Sequence, residues 1–569
     1  MLDVLYYRYM TVFKRTFILL TLTSFFGMLF YSIPPKAEAI SLEYATILGT
    51  SGTSILVEYV NIGTRHYYLC SVTTRACTTT KKRSLGTSKA PALSANLSLE
   101  LKARKAGHAV LSPSGAYLAY YIGSSDASPT RIYTLRNMAT GQEYSISSSV
   151  AYWDLIDDEG KIFAFSPESD KLAYLDDKDG TSALYITTTN AVTDTILSTA
   201  STIKLSTSAF QVDDFIFADQ NTIYYVGNSK SDPYNWSLYR YDLIKNTDTA
   251  VASHISYVDP LRYINGNIIF NQLQSKGYGM ALYDTKTKKI RQFSVPHIAT
   301  TANVISQKVI SINGTQSGVV MLPPKWNAKK TYPLMIWLHG GPYRQTSYGW
   351  QPYRSYGGYD AILNILQKNG IIVLKLDYPG SFGYGRAFAE SIKGSVGATD
   401  VNAVMDAVSY MKANYGIKNV YLSGNSYGGY LSLKTLVEHP SDFPAVMSIN
   451  GVTDWASLLP PLQSSIFNTH FNGLPNSNNQ ALYDQASIIN KIGNLANEKV
   501  ILIQGQSDTD IAPWQADLLY GRLKSAGKNV SIVKYAGENH VFAKKSTFTD
   551  LCKRMLSFVG APYDKACAQ

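Results

Sequence analysis

"VYLSGNSYGGYLSLK", Val420 to Lys434, decides how the C-terminal part of this chain folds. An apolar run ends in Gly424-Asn425-Ser426-Tyr427-Gly428, and a helical pattern, "YLSLKTLVEH", begins at once behind it. A strand that turns this sharply into a helix needs small residues on both sides of the serine, and the turn lifts the hydroxyl out of the sheet. Such a serine is a weak nucleophile at neutral pH. It needs a histidine to take its proton and a carboxylate to hold that histidine's tautomer. In this strand-turn-helix setting the three residues follow in the order serine, acid, histidine.

The surrounding sequence supplies the sheet. "YPLMIWLHGGP" (Tyr332 to Pro342), "GIIVLKLDYPGSFGYG" (Gly370 to Gly385), "NVYLSGNSYGG" (from Asn419), "FPAVMSINGV" (Phe443 to Val452) and "KVILIQGQSD" (Lys499 to Asp508) each contain a continuous apolar run. Runs of this kind are strands buried on both faces. Helical patterns at Thr399 to Tyr415 and Ala512 to Ala526 lie between them. The expectation over residues 311–569 is a mainly parallel sheet with helices on both faces. Asp508 stands just past a strand, and His540 sits in "KYAGENHVF", again a strand and a Gly-bearing loop. His439 and His470 also follow Ser426 but lack such a setting. The candidate triad is therefore Ser426, Asp508 and His540. An oxyanion formed there needs donors: the amide of Tyr427, next to the serine, and the loop His339 to Pro342, with His339 and Gly340 foremost.

Upstream, residues 40–310 read differently. Thr, Ser, Tyr, Ile and Val alternate in short runs broken by Gly, Asn and Asp, the pattern of short antiparallel strands. "LSPSGAYLAYYIG" at Leu111 recurs as "FSPESDKLAYLDD" at Phe165, as "FADQNTIYYVGN" at Phe217 and as "INGNIIFNQ" at Ile264, so that Leu118, Leu172, Ile223 and Ile268 hold equivalent places. A degenerate unit lies near Ile55 to Val72. Repeats of this length, with two strand pairs each, suit the blades of an all-β propeller. Five units are recognisable and six or seven are compatible with the length; a β-sandwich or β-helix is the competing arrangement.

At the N-terminus, Lys14 and Arg15 precede the apolar run Thr16 to Ile33, and Ala37-Glu38-Ala39 follows. This is the layout of a secretory signal over residues 1–39, with Met10 as a second possible start. An uncleaved anchor is the alternative, the run being at the short end of a bilayer span. The four cysteines form two local pairs, Cys70 with Cys77 and Cys552 with Cys567, which in an exported chain favour two small disulfide loops over free thiols. Neither pair has metal-ligand spacing, and no metal or organic cofactor is implied. The formal charge of +11 is spread along the chain without a basic block, which argues against nucleic acid as a partner.

With these residues in view, the chain resembles the prolyl oligopeptidase family of serine peptidases, most of all in "HGGP", "DYPGSFGYGRAF", "GNSYGGY", "GQSDTDIAPWQADLLYGRLKSAG" and "YAGENHVF". The resemblance implies a propeller before a catalytic α/β-hydrolase domain, the triad named above, and peptide substrates admitted past the propeller. It is similar to the dipeptidyl peptidase and acylaminoacyl peptidase branch in the gap between Asp508 and His540. Val452, Trp455 and Leu458 fall where that branch lines its primary specificity pocket, implying a medium-sized apolar residue before the scissile bond. Three positions depart from the pattern. His339 stands where many relatives have a tyrosine that helps the oxyanion hole. Asp377 and Pro379 replace an asparagine and an arginine. Asp510 stands where relatives hold a substrate carbonyl with a donor, and an acid could instead meet a substrate ammonium. Asp157-Asp158-Glu159 is the nearest acidic cluster of the propeller. Exopeptidase and endopeptidase remain open, as do an exported carboxylesterase with the same triad and a propeller binding protein with an inactive hydrolase domain.

Overall fold

The computed structural model describes residues 44–568, apart from 62–63, 82–92, 124–130, 150–160, 190–201, 258, 275–276, 295–306, 350, 352–355 and 459–469. The N-terminal apolar segment and Asp157-Asp158-Glu159 lie outside the described residues. Among the described residues no helix is long and apolar enough to cross a membrane, and no cluster of His, Cys, Asp and Glu is arranged to hold a metal ion.

Five four-stranded antiparallel sheets follow one another between Tyr44 and Gln292. The repeat seen in the sequence is a repeat of register. Ile55, Leu118, Leu172, Ile223 and Ile268 are each the second residue of their sheet's second strand, and each is completely buried. Bonds tie successive sheets, among them the Ser114 amide to Ser169 Oγ (3.0 Å), Ser182 Oγ to the Val212 carbonyl (2.7 Å) and the Leu261 amide to Asp214 Oδ2 (2.6 Å). The fifth sheet returns to the first. The Ser294 amide donates to the Arg75 carbonyl at 3.1 Å, and Ile269, Met280 and Leu282 share a core with Ile55, Val57 and Tyr68. This closure makes a propeller of the sheets, since a blade cannot bury both faces alone. Cys70 and Cys77 face each other across two neighbouring strands of the first blade and are joined by a disulfide.

The second domain is an eight-stranded sheet. Its strands are β1 (Gln307–Ile312), β2 (Gln316–Met321), β3 (Tyr332–Leu338), β4 (Ile372–Asp377), β5 (Ile417–Asn425), β6 (Ala445–Ile449), β7 (Lys499–Gly505) and β8 (Val530–Tyr535), in the spatial order β1-β2-β4-β3-β5-β6-β7-β8. β1 lies astride residue 310, where the sequence reading divides the domains. From β4 onward the strands are parallel. Helices α1 (Gly357–Lys368), α2 (Thr399–Tyr415), α3 (Tyr427–Glu438), α4 (Trp514–Ser525) and α5 (Lys545–Phe558) cover it. The sheet's two faces feed two separate cores, one with Met335, Trp337 and Ile449 and the other with Leu334, Ile336 and Leu422, which is why the strands read as unbroken apolar runs. The disulfide Cys552–Cys567 ties α5 to the C-terminal turn.

The domains meet through a polar seam. Gln345, just past the Gly-Gly-Pro turn, accepts from Trp236 Nε1 at 2.9 Å and donates to the Pro233 carbonyl at 3.0 Å. Asn228 Nδ2 donates to the Gly383 carbonyl at 2.9 Å, and Phe382 stacks on Trp236 with centroids 5.7 Å apart.

Candidate active site

Ser426 stands between the end of β5 and the first residue of α3, with φ 57° and ψ −120°. A serine in this left-handed region carries strain of about 1–3 kcal/mol, so its surroundings must hold it there. The Ser426 amide donates to the Ile449 carbonyl at 2.9 Å, and the Tyr430 amide donates to the Ser426 carbonyl at 2.9 Å. The flanking glycines explain the motif. A Cβ on Gly428 would collide with the Leu338 carbonyl of β3, and one on Gly424 would lie 2.6 Å from the Gly428 backbone.

Asp508 and His540 are paired. His540 Nδ1 lies 2.8 Å from Asp508 Oδ2, and both residues are buried. Asp508 Oδ1 accepts from the amides of Asp510 (2.9 Å) and Ile511 (2.8 Å), so both carboxylate oxygens are fixed. An ionised Asp508 places the imidazole proton on Nδ1 and leaves Nε2 as the base. The close approach of β7 to the histidine loop demands Gly505, where a Cβ would lie 2.7 Å from the Glu538 carbonyl.

Asn450, the residue after β6, joins these parts. Its Nδ2 donates to the His540 carbonyl at 2.8 Å and its Oδ1 accepts from the Gly505 amide at 2.9 Å. Its neighbour Ile449 holds the Ser426 amide, so two consecutive residues carry bonds to the serine elbow and the histidine loop. The sequence reading missed Asn450; its only sequence signal is an asparagine at a strand end, where the backbone takes φ 49°.

The loop after β3 differs from expectation in detail. The His339 imidazole is buried, stacks on Tyr378 with centroids 4.5 Å apart, and makes contacts with the Gly340 carbonyl (2.8 Å), Ser381 Oγ (2.9 Å) and Asp377 Oδ1 (3.3 Å). Asp377 in turn accepts from the Thr346 amide (2.7 Å) and the Tyr384 hydroxyl (2.7 Å), so the acid that departs from the family pattern is a buried tie for this loop. The Gly340 amide donates to the Tyr356 hydroxyl at 2.8 Å. Tyr378 Oη donates to the His339 carbonyl at 2.6 Å.

Tyr427 is fixed through its side chain. Its hydroxyl donates to Asp400 Oδ2 at 2.6 Å and its ring stacks on Tyr378 at 5.7 Å. Burial pushes the Asp400 carboxyl up to about 6, against the opposing pull of the Tyr427 hydroxyl. Burial likewise holds the Tyr427 phenol well above its ordinary value.

Val452, Trp455 and Leu458 are all buried. Trp455 packs edge-on against Tyr430 (5.0 Å) and near Phe471 (5.4 Å) and Tyr427 (5.9 Å). Gln515 on α4 fixes their loop: its Oε1 accepts from the amides of Thr453 (2.8 Å) and Asp454 (3.1 Å), and its Nε2 donates to the Asp454 carbonyl (2.9 Å). Asp510 is half-buried beside the acid loop.

Comparison with known proteins places the hydrolase domain in a family. The model of the prolyl oligopeptidase family matches residues 358–565, a span that holds Ser426, Asp508 and His540. The hydrolase domain belongs to the prolyl oligopeptidase family. The chain is 24% identical over 254 residues to the uncharacterized peptidase YuxL of Bacillus subtilis, a match covering 44% of this chain and 37% of that protein. It is 24% identical over 361 residues to dipeptidyl peptidase 4 of Sus scrofa, covering 59% and 45%. The matched region thus spans less than half the length of these relatives. Among solved structures, a puromycin-hydrolyzing peptidase of Mycobacterium tuberculosis superposes with a TM-score of 0.66 at 16% identity, covering 91% of this chain and 78% of that one. That likeness of fold covers both domains, the propeller and the hydrolase that follows it.

Proposed function

We propose that this chain is an exported serine peptidase that cleaves short peptides through an acyl-enzyme, with Ser426 as nucleophile, His540 as base and Asp508 as the residue that orients it. The observation that carries this reading is the His540 Nδ1–Asp508 Oδ2 pair at 2.8 Å, linked to the strained serine elbow through the consecutive residues Ile449 and Asn450. His540 Nε2 takes the Ser426 proton as Oγ attacks the scissile carbonyl carbon. The resulting oxyanion is met by the Tyr427 amide, at the open first turn of α3, and by a second donor on the side of the His339–Gly340 loop. Collapse breaks the C–N bond, and the leaving amine takes the proton from His540. Water, deprotonated by His540, then hydrolyses the acyl ester and restores Ser426.

Val452, Trp455 and Leu458 support a preference for a medium apolar side chain before the scissile bond. The two disulfides support an oxidising, periplasmic or extracellular location. The test is cleavage of a mixed library of free and N-acetylated peptides, read by mass spectrometry beside Ser426→Ala. Cuts near free N-termini that vanish on acetylation mark an aminopeptidase, and internal cuts indifferent to acetylation mark an oligopeptidase. Absence of any Ser426-dependent cut overturns the peptidase reading.

A further inference from the structure

In the loop that should supply the second oxyanion donor, the two groups foremost for that role, the His339 imidazole and the Gly340 amide, are already engaged. The His339 imidazole is held by the Gly340 carbonyl and Ser381 Oγ and stacked on Tyr378. The Gly340 amide is bonded to Tyr356 Oη. The position of that hydroxyl can be read from the missing side chain of Gly340. A Cβ there would touch Tyr356 Oη, the Asn425 carbonyl at 3.0 Å and Ser426 Cβ at 3.1 Å. The phenol oxygen and the nucleophile's side chain therefore border the same small space. The Tyr356 ring is held in place: it is buried at the start of α1, with the Arg344 guanidinium over it at 5.2 Å and Tyr359 at 6.1 Å.

We propose that the Tyr356 hydroxyl is the second oxyanion donor, relaying the Gly340 amide to the oxygen that becomes negative when Ser426 attacks. This rests on the acyl-transfer reading above. Accepting the amide proton uses one oxygen lone pair and polarises the O–H bond, which strengthens it as a donor. The proton stays on the phenol throughout; the hydrogen bond forms in the tetrahedral state and relaxes when the C–N bond breaks. Neither the serine motif nor the Gly-Gly-Pro turn announces Tyr356, which comes from a separate segment.

The test compares the full chain with Tyr356→Phe, which keeps the ring and its packing. Rates are expressed per active site titrated with a fluorophosphonate, so that any misfolded fraction drops out. The substrates are a library-derived peptide and p-nitrophenyl butyrate; the inhibitors are a peptide aldehyde, which forms a tetrahedral adduct, and the matching product peptide, which does not. Loss of one such donor costs about 10²-fold in kcat elsewhere, and the Gly340 amide released here offsets part of it, so the expected fall is about 10- to 100-fold. KM and product affinity should change by less than about threefold, while aldehyde affinity falls by the same factor as kcat/KM. An unchanged or raised kcat overturns the assignment, because the hydroxyl would then merely occupy the Gly340 amide. An equal loss in product affinity also overturns it, showing a binding or structural role. If the parent chain turns over the ester but no peptide, the peptidase reading fails while the Tyr356 comparison still stands on the ester. If Ser426 supports neither reaction, both fall.

Discussion

Leu172 in the propeller and Asn450 in the hydrolase domain are both buried, at 0% exposure, yet the structure uses them in opposite ways. Leu172 is one of five equivalent positions, and its work is volume. Asn450 has no counterpart elsewhere in the fold, and its work is two directed bonds to the acid-base side of the site. The same contrast runs through the domains. The propeller repeats one apolar register, whereas the hydrolase domain sets single-copy buried polar groups at its strand ends (Asp377, His339, Asn450) and at the starts of its helices (Asp400, Gln515). Burial marks stability in the first region and geometry in the second.

Four substitutions test that division. Ser426→Ala should lower kcat/KM by at least about 10⁴-fold without lowering the melting temperature, because it removes the nucleophile and relieves no core contact. Leu172→Ala should cost about 2–5 kcal/mol in urea unfolding while kcat per titrated site stays at the parent value; a fall in kcat would show that the propeller core reaches the chemistry.

Asp400→Asn should act through pH. A carboxyl raised from 3.8 to about 6 on folding binds its proton more tightly in the native state, so ionisation penalises the fold as pH rises through the window between those values. The parent should lose up to about 3 kcal/mol relative to Asp400→Asn between pH 4 and pH 7, read from paired unfolding curves. A constant difference across that range would refute the assignment. Asn450→Asp keeps an acceptor for Gly505 but loses the donor to His540 and buries a carboxyl; kcat per titrated site should fall about 10- to 100-fold, the signature of a displaced base, with a melting temperature that falls further at pH 8 than at pH 5.

The sequence made the two architectures readable because each is written as a period: alternation with a recurring Leu or Ile upstream, continuous apolar runs downstream. It also singled out Ser426, Asp508 and His540 as candidates, since the elbow and the strand ends are local features and their order is constrained. It did not expose Asn450, Tyr356 or Asp400. Each of these acts on a residue distant in the chain, and a lone Asn, Tyr or Asp carries no periodic trace of such a partner. His339 was visible but its orientation was not. That orientation depends on Asp377, Ser381 and Tyr378, which come from the turn after the next strand.

Gln345 has a bearing on both domains at once. It lies five residues beyond Gly340, and its side chain is gripped by Trp236 and the Pro233 carbonyl of the fourth blade. The backbone that presents Gly340 to the serine is thus clamped from the far side of the domain seam, like a latch whose catch sits on the other leaf of the door. Whatever parts the two leaves must first break the Gln345 bonds, and so acts on the backbone around Gly340 as well as on the seam itself.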